Sequence, residues 1–316
     1  MAKSPQPAAS ADVVADVPRD GLYLALVSVH GLIRGEEPEL GRDPDTGGQV
    51  TYVLELAREL CRRPGVERVD LLTRRIESSR VADDYARPSE ELGPGARLIR
   101  LPCGPRRYLH KERLWPYLGE FVDAALGYFR RRGRIPDVVH GHYADAGWVA
   151  TRLSALLGVP QVHTGHSLGR VKKARLLEAG MDEETLEQRF HLSRRIRAEE
   201  ATLRAADLVV SSTRQEVEEQ WGLYDHVQPD RMVVIPPGVD LSRFQPPVPG
   251  EPEPAYADEL ARFLRDPAKP MILTLARPDR RKNLTTLVAA YGGNPELREL
   301  ANLVILAGNR DDVADT

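Results

Sequence analysis

Two glycine-bearing segments hold the residues whose types and spacing offer the most chemistry. The first, Arg42-Asp43-Pro44-Asp45-Thr46-Gly47-Gly48-Gln49-Val50, follows an apolar strand and runs into an amphipathic helix. Adjacent glycines at a helix start let a ligand approach bare backbone N–H groups, and the helix N-terminus favours negative charge there. Gln49, in the first turn, can exchange hydrogen bonds with a ligand hydroxyl. Asp43 and Asp45 read as loop formers and caps. No G-x-G-x-x-G follows the first strand, which excludes the dinucleotide fingerprint. The second segment, His163-Thr164-Gly165-His166-Ser167-Leu168-Gly169, leaves another strand, and Lys172 and Lys173 follow within a turn. Backbone donors, a hydroxyl and ammonium groups converging in this way suit a phosphate. Together the two segments point to a site for a phosphorylated sugar. A tight loop and a solvated basic face are the plain structural alternatives.

Further groups can join that site. Lys111 and the pair Arg194-Arg195 add positive charge if loops bring them near. His140-Gly141-His142-Tyr143-Ala144-Asp145 sits at the C-terminal end of a strand, where ligands gather in open α/β sheets. Its two histidines are expected on opposite sides of the strand, one reaching the sugar site and the other packing. No Cys, Asp or Glu set completes a metal site with them. Arg277-Pro278-Asp279-Arg280-Arg281-Lys282-Asn283 follows a later strand. There Arg277 and Lys282 would neutralise a diphosphate leaving group without a metal ion, or would simply be surface charge before a helix capped by Asn283.

The elements that must position these residues alternate between short apolar runs and helical patterns, as parallel βαβ construction requires. Strands are predicted at 22–29, 69–73, 97–101, 138–141, 161–164, 208–211 and 232–235. Val50, Val53, Leu54, Ala57 and Leu60 mark a first helix, stopped by Pro64-Gly65; others are predicted over 111–132, kinked or started at Pro116, and over 183–205. A proline-rich linker covers 244–254. A second α/β unit follows, with strands at 271–276 and 303–307 around a helix at 283–291. Two parallel strands and one crossover helix cannot cover both faces of a sheet, so the chain is expected to be a fragment. The organisation expected is a disordered tail (1–20), a ligand-binding Rossmann-like domain (21–245), and a linker with an incomplete second domain (246–316).

Bulk properties narrow the partners. The 316 residues make room for about two domains. A net charge of −3 gives no reason to expect nucleic acid or an acidic membrane. Only six residues are lysine, so a lysine inside a motif is informative. Cys61 and Cys103 are expected to be buried free thiols of a reducing cytosol. No apolar run reaches 18 residues and no signal pattern opens the chain, so a cytoplasmic location is expected.

Several motifs carry a family resemblance: Val29-His30-Gly31-Leu32-Ile33-Arg34-Gly35, Asp45-Thr46-Gly47-Gly48-Gln49, Leu71-Leu72-Thr73-Arg74, Trp115-Pro116-Tyr117, Gly165-His166-Ser167-Leu168-Gly169-Arg170, Ser211 through Trp221, and Val234-Ile235-Pro236-Pro237-Gly238. Over about residues 21–310 the chain resembles the sucrose-phosphate synthase family of retaining GT-B glycosyltransferases. The resemblance implies an α/β fold of GT-B type, with one complete Rossmann-like domain and the start of a second. It also implies glucosyl transfer from UDP-glucose to fructose 6-phosphate, with no cofactor or metal. Carried over by position, Gly47 and Gln49 would contact fructose. Lys111, Tyr143, Ser167, Lys172 and either Arg194 or Arg195 would line the acceptor and its phosphate. His142 would stand beside the transferred glucose, and Arg277 and Lys282 would hold the diphosphate. The remaining donor-site residues, paired glutamates among them, are expected after residue 316. Sucrose synthase, mannosylfructose-phosphate synthase and a non-catalytic sugar-phosphate-binding fragment are the rival readings.

Overall fold

A computed structural model describes residues 21–242, 244–246, 250, 255–276, 278 and 280–307. The expected tail at 1–20 and most of the expected linker lie outside the described residues. The first unit is an eight-stranded sheet of β1 (Leu22–Val27), β2 (Val66–Arg74), β3 (Ser89–Gly93), β4 (Ala96–Leu101), β5 (Val138–His142), β6 (Gln161–Thr164), β7 (Leu208–Ser211) and β8 (Met232–Val234). Their order across the sheet is β3-β4-β2-β1-β5-β6-β7-β8, parallel throughout except for β3. β1, the apolar run LYLALV, lies between β2 and β5, as a strand covered on both faces should.

Helices cover the two faces. α1 (Gly48–Cys61) buries Val50, Val53, Leu54 and Ala57 against Leu26, Val69, Leu71 and Leu98. α2 (Leu118–Arg132) and α3 (Tyr143–Leu157) share the opposite core, where Phe121, Phe129, Val149 and Leu153 meet Tyr23, Val27 and Val139. A third cluster places Trp221 and Tyr224 against Leu168 and Leu203. It joins α4 (Gly169–Glu178) to α6 (Leu192–Ala205). The connections leaving β1 diverge, α1 returning toward β2 on one side while the chain later crosses to β5 on the other. That switch point opens a crevice at the C-terminal ends of β1 and β5, where doubly wound folds bind ligands.

Three sequence expectations are corrected here. The helix expected over 111–132 is two 3₁₀ turns, Lys111–Arg113 and Trp115–Tyr117, followed by α2; Pro116 has no N–H to continue an α ladder. The helix expected over 183–205 is broken into α5 (Glu183–Phe190) and α6 by His191, which adopts a left-handed φ of 48°. Cys103 is buried as expected, but Cys61 is only half-buried; both are free thiols.

The second unit pairs β9 (Met271–Leu275) with β10 (Asn302–Leu306) in parallel, beside α7 (Ala255–Ala261), α8 (Leu284–Gly292) and α9 (Pro295–Leu300). Leu273, Leu275 and Val288 are 56%, 79% and 50% exposed, the uncovered apolar surface expected of so small a sheet.

Candidate functional site

The loop from β1 to α1 supplies the floor of the crevice. Asp43 shapes it, accepting from the Asp45 N–H at 2.7 Å and from the Thr46 hydroxyl at 2.7 Å. Asp45 does something else. Its buried carboxylate accepts from the Lys111 N–H at 2.9 Å and from the Lys111 ammonium, with the His110 ring 3.6 Å away. Burial alone would raise its pKa, but the His110 and Lys111 contacts outweigh burial and hold the carboxyl well below the usual range. Asp45 is therefore an ionic anchor rather than a cap. Gly31 makes this close approach possible: its φ is 85°, and a Cβ there would stand 2.8 Å from the Asp45 carbonyl oxygen. By contrast a Cβ on Gly47 or Gly48 would meet nothing within 4 Å. The loop leaves open space there, where α1 begins.

Gln49 turns its amide across the crevice, donating to Ser28 Oγ at 3.1 Å and to the His142 carbonyl at 3.4 Å. His142 ends β5, and Tyr143 starts α3 with a φ of 79°, a strained backbone for a residue with a side chain. The Tyr143 ring is clamped between His30 at 4.5 Å and the Arg195 guanidinium at 4.5 Å. His30 in turn pairs with buried Asp145 at 2.9 Å. Burial disfavours the charged imidazole, yet Asp145 prevails and raises the His30 pKa.

The histidines of β5 do not straddle the strand. Residues i and i+2 share one face of a strand, and the His140 and His142 rings lie 4.0 Å apart. His142 Nδ1 is 3.1 Å from His166 Nε2, and His142 Nε2 is buried without a hydrogen-bond partner. Burial, reinforced by the neighbouring imidazoles, keeps His142 neutral; burial likewise depresses His140 and His166 to about 3. Among the described residues no group of three or more His, Cys, Asp or Glu is arranged to hold a metal ion.

The far wall comes from the loop between β6 and α4. Arg195 reaches from α6 to the Ser167 carbonyl at 2.5 Å and its hydroxyl at 3.4 Å, and pairs with Glu199 at 2.9 Å. Glu199 also accepts from the Gly169 N–H at 3.0 Å and from the Tyr224 hydroxyl, locking loop to helix. Lys172 sits 3.7 Å over the Phe190 ring, and among the described residues no carboxylate stands within ion-pair distance of it. Burial first, then the nearby Lys111 and Arg195 charges, lowers its pKa to about 8. Lys111 is shifted the other way, because Asp45 and Glu112 outweigh the burial penalty.

The structure thus links Gln49, His142, Tyr143, Arg195 and Ser167 through a run of contacts, with Gly47 at the start of the helix that carries Gln49, and with Lys172 near enough to Lys111 and Arg195 for their charges to act on it. Arg194 is exposed, whereas Arg195 is 4% exposed. Lys173 turns away to Glu183 at 2.8 Å. Lys282 is an exposed residue of the 3₁₀ turn after β9, and Arg277 lies outside the described residues. Sequence reasoning missed Asp45, His30, Asp145, His166 and Glu199 as parts of this framework.

Comparison with known proteins accords with this geometry. Residues 47–238 match the family described as Glycosyl transferase 4-like domain. The chain belongs to that family. It is similar to sucrose-phosphate synthase of Zea mays, 46% identical over 360 residues, covering 93% of this chain and 34% of that protein. A probable sucrose-phosphate synthase of Oryza sativa subsp. indica is also 46% identical, over 354 residues, covering 92% and 33%. The chain therefore spans about a third of the length of these curated relatives. Among solved structures, sucrose-phosphate synthase from Thermosynechococcus elongatus aligns with a TM-score of 0.68 at 30% identity, over 93% of this chain and 64% of that one. The catalytic domain of starch synthase IV from Arabidopsis thaliana aligns with a TM-score of 0.56 at 15% identity, over 91% and 68%, a likeness of fold. The α/β fold of GT-B type and the resemblance to sucrose-phosphate synthases are both borne out. Among the described residues no helix is long and apolar enough to cross a membrane.

Proposed function

We propose that this chain is the acceptor-binding part of a cytoplasmic retaining glycosyltransferase that moves glucose from UDP-glucose to fructose 6-phosphate, giving sucrose 6-phosphate and UDP. The observation that carries the reading is the unpaired, partly buried Lys172 ammonium. It lies close enough to Lys111 and Arg195 for their charges to act on it, and Lys111 is tied to Asp45 in the loop that carries Gly47 and Gly48. Lys111 and Arg195 are already balanced by Asp45 and Glu199, which leaves the Lys172 ammonium as the charge that an incoming anion would neutralise. A phosphate ester there gains charge-assisted hydrogen bonds, and the sugar it carries falls toward Gln49 and His142.

In this reading the fructose 2-hydroxyl attacks the anomeric carbon of glucose on the face that the UDP leaves. The bond from that carbon to the β-phosphate oxygen breaks, and the leaving diphosphate takes the hydroxyl proton. No separate general base is needed. His142, neutral and with a buried nitrogen free, meets the transferred sugar. Arg277 and Lys282 neutralise the departing diphosphate, so the reading calls for no metal or organic cofactor. Removing one such preorganised donor costs roughly 10²–10³ in rate. The test is a screen of UDP-glucose and other nucleotide sugars against fructose 6-phosphate and fructose, detecting released UDP. Release only with UDP-glucose and fructose 6-phosphate is expected. Equal release with free fructose would favour a sucrose synthase. Release only with a mannose donor would favour a mannosylfructose-phosphate synthase.

A further inference from the structure

A second concave surface lies beside the Lys111 loop, built mostly from residues that the acceptor site leaves unused. It is a cavity of about 620 Å³, within the size range of small-molecule sites. Four arginines line it, Arg42, Arg80, Arg107 and Arg113, together with His110, against the single carboxylate of Asp43. That carboxylate is already committed to Tyr108 at 2.8 Å and to Thr46 and the Asp45 N–H. Arg42 pairs with Glu39 at 2.7 Å. Among the described residues no carboxylate stands within ion-pair distance of Arg80, Arg107 or Arg113. In a chain of net charge −3, three unpaired guanidiniums around one hollow are not a matter of overall basicity.

The wall that presents them is fixed from beneath. Buried Arg74 donates to the carbonyls of Cys103 at 2.8 Å and Arg107 at 2.6 Å, and to that of Pro105. The segment carrying Arg107 and Tyr108 is thereby pinned on one side by Arg74 and on the other by Asp43. Guanidiniums offer planar pairs of donors that match phosphoryl oxygens. We propose that this cavity is a second anion site, taking a small soluble molecule through a phosphoryl group and distinct from the acceptor site at Lys172. The assignment does not depend on the acceptor reading: the cavity shares Asp43 and His110 with the framework around Asp45, but none of the residues assigned to contact the acceptor.

The test is calorimetric titration of the chain with inorganic pyrophosphate. The proteins are wild type, Arg107→Gln/Arg113→Gln, Lys172→Gln, and Arg63→Gln/Arg131→Gln, the last removing equal charge from exposed positions elsewhere. Saturable binding is expected in wild type, kept in Lys172→Gln and in the Arg63/Arg131 control, and weakened at least tenfold in Arg107→Gln/Arg113→Gln. No saturable binding in Lys172→Gln, or equal weakening in the control pair, would overturn the proposal. Titration of the same proteins with fructose 6-phosphate judges the acceptor site separately, because there only Lys172→Gln should lose affinity.

Discussion

Asp45 holds Lys111 twice, through the backbone N–H at 2.9 Å and through the ammonium, and so fixes both the start of the 3₁₀ turn and the direction of its charge. Asp45→Asn removes the ionic half of that link and leaves the ammonium partly buried. At pH 7 the variant should lose about 2 kcal/mol of stability, read as a shift in urea midpoint. The Asp45 pKa is depressed in the folded chain, so its contribution is present above the ordinary carboxylate range and fades as pH falls below about 4. The gap between wild type and variant should narrow on acidification. Identical midpoints at pH 7 would show that Asp45 anchors nothing.

The two kinds of glycine in this site should separate folding from binding. Gly47→Ala places a methyl in open space, so the melting temperature should move by no more than about 2 °C. Affinity for fructose 6-phosphate should nevertheless fall about tenfold or more, because the methyl occupies the ligand's approach. Gly31→Ala, at φ 85° and against the Asp45 carbonyl, should instead destabilise the fold by about 2 kcal/mol or more. Full binding by Gly47→Ala would remove the loop from the site.

Lys172, lowered to about 8 in the free chain, predicts a pH profile. A phosphate monoester is a dianion above about pH 6, so it needs the ammonium form. Affinity for fructose 6-phosphate should hold between pH 7 and 7.5 and fall above 8, approaching about tenfold per pH unit. Binding near pH 8 should take up a proton, visible as heats that depend on the buffer's ionisation enthalpy. Since the folded pKa lies below the unfolded one, Lys172 disfavours folding below pH 8, and that burden lightens as pH rises. A flat profile, or the same decline in Lys172→Gln, would assign the titration elsewhere.

Legibility of the site followed the kind of chemistry involved. Gly47, Gln49, Ser167 and Lys172 stood out because adjacent glycines, strand ends and scarce lysines are local signals. Asp45 was misread because an aspartate before a helix is usually a cap, and only the fold shows Lys111 arriving from 66 residues away. Arg194 and Arg195 stayed undecided because helix phase depends on the break at His191, which the run over 183–205 conceals. β3, with the sequence SEELG, carries no apolar alternation. It is an edge strand ordered by pairing with β4 and by Glu90, which binds Arg100 at 2.6 Å.

The stacked imidazoles predict acid sensitivity well above the carboxylate range. His140 and His166 are depressed to about 3 and His163 to about 4 by burial, and burial also holds His142 well below its usual value. Below pH 6.5 the unfolded chain binds protons that the folded one refuses, so stability falls as pH drops from 6.5 toward 4. His30 and His110, raised by Asp145 and Asp45, add stability only as pH falls toward about 6.5 and change nothing further below it. A loss of up to about 1.4 kcal/mol per pH unit for each of these neutral imidazoles is expected between pH 6 and 5. A urea midpoint that stays constant or rises from pH 7 to 5 would mean the imidazoles are solvated.

The central claim is that the crevice beside Gly47 recognises a sugar by its phosphate, and titration calorimetry with fructose 6-phosphate and with fructose tests it most directly. The account predicts saturable one-to-one binding of fructose 6-phosphate, at least tenfold weaker binding of fructose, and loss of that preference in Lys172→Gln. Equal affinity for the two sugars in the wild-type chain, or a preference untouched by Lys172→Gln, would contradict it.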